Sequence, residues 1–149
     1  MVKWINSIPP ICLVIALSGC QFPDDPNRTL KAIYETHRLK AGVCLNHATP
    51  SEERKLLQQL AKHLNAEITW FSDNQEGLYR QLHDFKLDIA ACAIRKDSPW
   101  SDILAFTIPY SKKNSVAYVL AVPPGENGWL KQVNEFIEQQ KEIRHAARD

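Results

Sequence analysis

The sequence predicts an α/β domain built on a mostly parallel sheet, and three observations carry that expectation. Short apolar runs alternate with amphipathic segments of helical period between residues 39 and 142; helix-start signals at Thr49 and Asp73 separate the first three runs; and the third run, residues 87–94, is apolar throughout, as strands covered on both faces are. Strand–helix–strand order with right-handed crossovers places the first strand between the second and third, a 2-1-3 order with one further strand. The length of 149 residues is one domain's worth of chain. With 44% hydrophobic and 23% charged residues, the composition excludes a long disordered chain, a collagen-like repeat and a polytopic membrane protein. Eighteen Lys and Arg against 17 Asp and Glu leave no basic excess of the kind a nucleic-acid partner requires.

Each element has its own signature. Residues 39–45 form a short apolar run with Val43 at its centre, a buried strand. Thr49 then stands as helix cap, Pro50 at the first helical position and Glu52 as the acid of a capping box. Leu56, Leu57, Leu60, Ala61 and Leu64 follow on one helical face. Residues 66–71 read as a second strand. Asp73-Asn74-Gln75-Glu76 opens a helix with Leu78, Leu82 and Phe85 inward, and residues 87–94 are the third strand. Residues 115–122 make a fourth strand, stopped by Pro123-Pro124-Gly125. Asn127 caps a last helix with Leu130, Val133, Phe136 and Ile137 inward.

The first 19 residues are a different kind of segment. Lys3 supplies a positive start, and an apolar stretch of roughly 10 residues, too short to span a bilayer core of ~30 Å, reads as a secretory leader. It ends in Leu17-Ser18-Gly19-Cys20, which resembles the lipobox of bacterial lipoproteins. That resemblance implies cleavage before Cys20, acylation of its thiol (a palmitate-type membrane anchor) and, because Gln21 rather than Asp follows, placement on the outer more than the inner membrane. Residues 20–28, with Pro23 and Pro26, are then a polar linker, and residues 29–149 the folded domain. Of the four cysteines only Cys44 and Cys92 fall in that domain. They lie on the first and third strands, so they should be close and buried, either as a packed pair of thiols or as a bridge in an oxidising envelope. No Cys-x-x-Cys and no His pair at helical spacing is present, so neither a metal nor any other cofactor is expected.

Four phrases, taken in order, resemble the type 2 periplasmic solute-binding proteins, in particular the amino-acid-binding family and the matching domain of membrane-bound lytic transglycosylase F. They are residues 29–43, 56–64, Leu87-Asp88-Ile89-Ala90-Ala91 and Phe106-Thr107-Ile108-Pro109-Tyr110. The resemblance implies a three-layer, Rossmann-like fold. Family members have two lobes with ligand between them; here Tyr110 is followed by one strand and the last helix, which implies a single lobe. The family's ligand-clamping Arg is replaced by Trp100, leaving Arg95 as the nearest guanidinium.

In open α/β sheets ligands sit beyond the carboxyl ends of the strands. That rim gathers Asn46, His47 and Thr49 after the first strand and Arg95, Lys96 and Asp97 after the third, flanked by Trp100 and Tyr110. The same residues would also serve as a solvated turn, a helix cap and a packed aromatic. No nucleophile elbow, paired-carboxylate motif or metal spacing accompanies them, so no catalysis is expected. Two functions are consistent with this reading. One is a lipid-anchored, ABC transporter-like solute-binding domain for a small polar solute, amino acid or muropeptide-like, serving transport or sensing. The other is a degenerate lobe that docks an envelope protein. An apolar patch at Trp100, Ile108 and Tyr110 would favour docking, and a polar concavity at Arg95 would favour a ligand.

Overall fold

Leu39, Ala41 and Val43 alternate with Lys40, Gly42 and Cys44 along the first strand, and apolar members of both sets are buried because helices cover both faces. The computed structural model describes residues 25–45 and 50–147. Its elements run α1 (Thr29–Thr36), β1 (Arg38–Cys44), α2 (Ser51–His63), β2 (Glu67–Asp73), α3 (Gln75–His83), β3 (Ile89–Arg95), a 3-10 turn (Pro99–Asp102), β4 (Ala105–Phe106), β5 (Ser111–Lys113), β6 (Val116–Val122) and α4 (Asn127–Ala146). The sheet order is β2-β1-β3-β6-β4, with β1 parallel to β2 and β3 as expected, and β6 antiparallel to β3. Two further short strands, β4 and β5, pair with successive stretches of β6. Asn114 and Ser115, both at positive φ (48° and 66°), turn β5 into β6. A two-residue turn of that kind matches the twist of a hairpin.

One face of the sheet packs against α2, α4 and Ile33 of α1, the other against α3 with Trp100 and Leu104. Gly42 sets the distance on the α3 side, since a Cβ there would stand 2.8 Å from both Leu78 Cδ2 and Leu87 Cδ1. Helix α3 buries Leu78, Tyr79 and Leu82; the expected third member, Phe85, instead lies past the helix end at φ 57° and is half-buried.

The helix starts differ from expectation in who caps them. Pro50 is the cap position of α2 rather than its first residue, and Thr49 lies outside the described residues. At α3 the cap is Asn74, whose Oδ1 accepts from Gly77 N at 2.8 Å; Asp73, still in β2, accepts from Asn74 N and Gln81 Nε2. At α4 Asn127 is already helical, and the orphan N–H groups of Gly128 and Trp129 donate to Asp25, more than 100 residues away (2.5 and 3.1 Å). Glu126 returns the favour, accepting from Asn27 N and Thr29 N at the start of α1. Local capping rules fail here because distant carboxylates satisfy the same donors. Residues 25–28 of the expected linker are therefore part of the fold.

Cys44 and Cys92 are joined by a disulfide, with Cα atoms 5.2 Å apart. Regular parallel strands aim such side chains poorly at one another. The bridge forms one step beyond the last regular pair, Val43 with Ala91, where Ala93 at φ 49° bends β3 out of register. Closing a loop across 48 positions is worth about 4 kcal/mol in chain-entropy terms.

The Asp25 clamp has a direct consequence. Asp25→Ala should lower the unfolding free energy by about 1–2 kcal/mol, read as a shift of the urea midpoint with an unchanged slope; an unchanged midpoint would show that α4 starts without it.

Candidate functional site

The carboxyl ends of β1 and β3 carry the rim expected to hold a ligand, and a buried acid shapes it. Glu53 sits three, four and seven positions before Leu56, Leu57 and Leu60, on the apolar face of α2, and is fully buried. Its carboxylate accepts from Ala93 N (3.0 and 3.1 Å) and from the Tyr110 hydroxyl (2.6 Å). It thereby ties α2 to the bend of β3 and to the segment after β4. Burial raises the Glu53 pKa above its ordinary value, with the two donors opposing. Burial and the neighbouring acid likewise hold the Tyr110 hydroxyl neutral, its pKa far above the usual phenol range. The sequence reading did not find Glu53. The available signal was a carboxylate inside an otherwise apolar helical stripe.

Asn46, His47 and Thr49, expected on the same rim, lie outside the described residues. Arg95 and Asp97 are brought together: Arg95 Nε and Nη2 fork onto Asp97 Oδ1 and Oδ2 at 2.9 and 2.6 Å, both side chains more than half exposed. Hydrogen bonding and charge from Arg95 lower the Asp97 pKa, and the same contacts raise that of Arg95. With Gln75, Cys92, Ser98 and Pro99 they line a cleft of about 370 Å³. Trp100 does not flank it as a free platform: its ring stands edge-on to Tyr79 at 4.9 Å, half-buried. Nor does the Tyr110 side chain reach the rim, since it is 5% exposed and turned toward Glu53. Tyr79 is itself fully buried with its pKa pushed up to about 12. A larger, shallower hollow of about 860 Å³ lies at the opposite end of the strands, beside Arg38, Lys62 and Asn65, away from this chemistry. Among the described residues no three His, Cys, Asp or Glu side chains come together as a metal site.

The fold of this single lobe is also found in solved proteins. The arginine-bound form of domain 1 from TmArgBP superposes with a TM-score of 0.65 at 17% identity, over 72% of this chain and 97% of that one. The chain has the fold of one lobe of an amino-acid-binding, type 2 periplasmic solute-binding protein. An amino acid ABC transporter substrate-binding protein from Streptococcus pneumoniae, bound to L-arginine, matches this lobe at 10% identity (TM-score 0.69, 77% of this chain, 92% of that one). An ancestral cyclohexadienyl dehydratase matches at 11% identity (TM-score 0.71, 86% and 95%), so the fold also occurs in an enzyme. No protein-family model and no curated protein sequence matches the lobe significantly.

Glu53 makes stability depend on pH. Because its folded-state pKa lies above the ordinary 4.5, folding takes up a proton between the two values. Stability is therefore greatest below that window and falls as pH rises through it. Asp88, also raised by burial, acts with the same sign, so Glu53→Gln should flatten the fall of stability with pH without removing it. Glu53→Ala, which orphans two buried donors, should cost about 1–3 kcal/mol for each. Denaturant midpoints from pH 4 upward check both; superimposable pH profiles for wild type and Glu53→Gln would overturn the assignment.

Proposed function

We propose that the chain is a lipid-anchored, non-catalytic solute-binding lobe of the bacterial envelope, holding a small zwitterionic solute in the cleft at Arg95 and Asp97. The observation that carries this reading is the side-by-side guanidinium and carboxylate at the carboxyl end of β3. An α-carboxylate pairs with the fork of Arg95 and an α-ammonium with Asp97, each exchanging an exposed internal pair for a ligand pair. Free amino acids and muropeptide-like fragments carry both groups, and L-arginine is the first candidate because it is the ligand of two of the matched structures. The docking alternative rested on an exposed apolar patch; Tyr110 is instead buried, and Trp100 and Ile108 are half-buried. The lipobox-like Leu17-Ser18-Gly19-Cys20 supports the anchor, and with Gln21 supports the outer membrane. One lobe covers a ligand on one side only, so affinity should be weaker than in a closed two-lobe site.

A thermal-shift screen of the purified protein with amino acids and muropeptides tests the site. A ligand at ~100 Kd adds about 2.7 kcal/mol and should raise the Tm by on the order of 10 °C. Arg95→Ala should abolish the shift while leaving the ligand-free Tm unchanged, because the side chain is exposed. No response to any zwitterion, or a response that survives Arg95→Ala, refutes the reading. The anchor is tested separately: Cys20→Ser should abolish labelling by a palmitate analogue and release the protein from membranes, and persistent labelling rules the anchor out.

A further inference from the structure

A concavity rimmed by basic side chains lies away from the Arg95 cleft. It is a groove of about 640 Å³ between the β5 hairpin and the last turns of α4, floored by Pro109, Tyr110 and Ser111. Four cationic side chains, Lys112, Lys113, Lys141 and Arg144, line it together with His145 and one carboxylate, Glu52. Cations in a helix's last turn often do no more than complement its dipole. That account covers Arg144 but not Lys112 and Lys113, which come from a strand on the facing wall.

The arrangement around Glu52 is specific. Lys113 Nζ approaches Glu52 Oε2 at 3.0 Å, and Arg144 Nη1 approaches Oε1 at 3.5 Å. One carboxylate thus spans cations from two separate elements, one on each of its oxygens. The guanidinium is held for this: Arg144 Nη2 donates to the Tyr110 carbonyl and Nε to that of Gln140, both at 3.2 Å. Lys141, on the same helix, pairs with Glu138 at 3.3 Å within one turn. Glu52 therefore occupies the place of a two-oxygen anion amid a local excess of positive charge, four cations against Glu52 and Glu138.

We propose that this groove is a binding site for a phosphate monoester or diphosphate group. Such a group offers the same two-oxygen bite to Lys113 and Arg144, with a third oxygen and a second charge for Lys141. Its occupation would displace Glu52, a half-buried side chain, 38% exposed, that can turn to water. The groove lies at the far end of α4 from Asp25, where the described chain enters the fold. Asp25 meets Gly128 and Trp129 while the groove takes Lys141 and Arg144, so the separation along the helix is ~20–25 Å.

Calorimetric titration of the purified protein with pyrophosphate, at constant ionic strength, tests the site; vesicles containing phosphatidic acid form a second arm. The expected result is saturable binding of one pyrophosphate, weakened about tenfold or more by Lys113→Ala with Arg144→Ala. Glu52→Gln, which removes the internal competitor, should tighten it roughly fivefold. All three side chains are substantially exposed, so the variants should keep the wild-type Tm within a few degrees; Arg95→Ala should leave pyrophosphate binding unchanged, which separates this site from the solute cleft. Vesicle binding with the same variant pattern, in the absence of pyrophosphate binding, assigns the phosphate to a lipid headgroup and retains the site. Binding in neither arm, or binding indifferent to Glu52→Gln and to the double variant, overturns it.

Discussion

The Glu53 carboxylate is the constraint on which the upper end of this lobe depends. A carboxylate with no exposure to water is held only where hydrogen bonds replace its hydration. Here those come from Ala93 N and the Tyr110 hydroxyl. Each partner marks a departure from regular structure. Ala93 is the left-handed residue that bends β3, and Tyr110 follows β4 immediately before the hairpin. One side chain of α2 thus holds the irregularity at which β3 shifts register against β6, between Cys92, which meets Cys44, and the Arg95–Asp97 pair. The Tyr110 carbonyl carries the same constraint outward to Arg144 and the basic groove.

The lower end is held by a different principle. Asp25 and Glu126 cap each other's helices, so the first described residue and the start of the last helix are tied by charge-assisted hydrogen bonds. Trp129 then donates its Nε1 proton to the Asp88 carbonyl at the foot of β3, and Asp88 accepts from Lys40 N in β1. This end is pinned by buried, fully partnered polar groups and holds the frame. The upper end exposes its charges, and only exposed charges can exchange an internal partner for a ligand.

Much of the architecture was legible because it rests on local pattern. Apolar runs and the Leu56–Leu57–Leu60 stripe require strands and helices in that order, and handed crossovers then dictate the 2-1-3 arrangement. The site was less legible. Arg95 and Asp97 are two positions apart and could be placed on one rim from the strand alone. That Tyr110 turns inward, and that Trp100 spends its face on Tyr79, depends on partners from other elements. The caps were misassigned for the same reason: Asp73 and Asn127 have the right chemistry, but Asn74, Asp25 and Glu126 reach the orphan donors.

By itself the sequence determined the fold class and the strand order about β1, because periodicity and helix signals are read over a few residues, and its resemblance to a known family implied the single lobe. Tertiary structure alone decided that Cys44 and Cys92 bond, that Glu53 is buried at the bend of β3, and that cations from β5 and α4 converge on Glu52. These contacts join residues about 40 to 90 positions apart, and their geometry is set by a strand irregularity and a hairpin turn that no local pattern encodes.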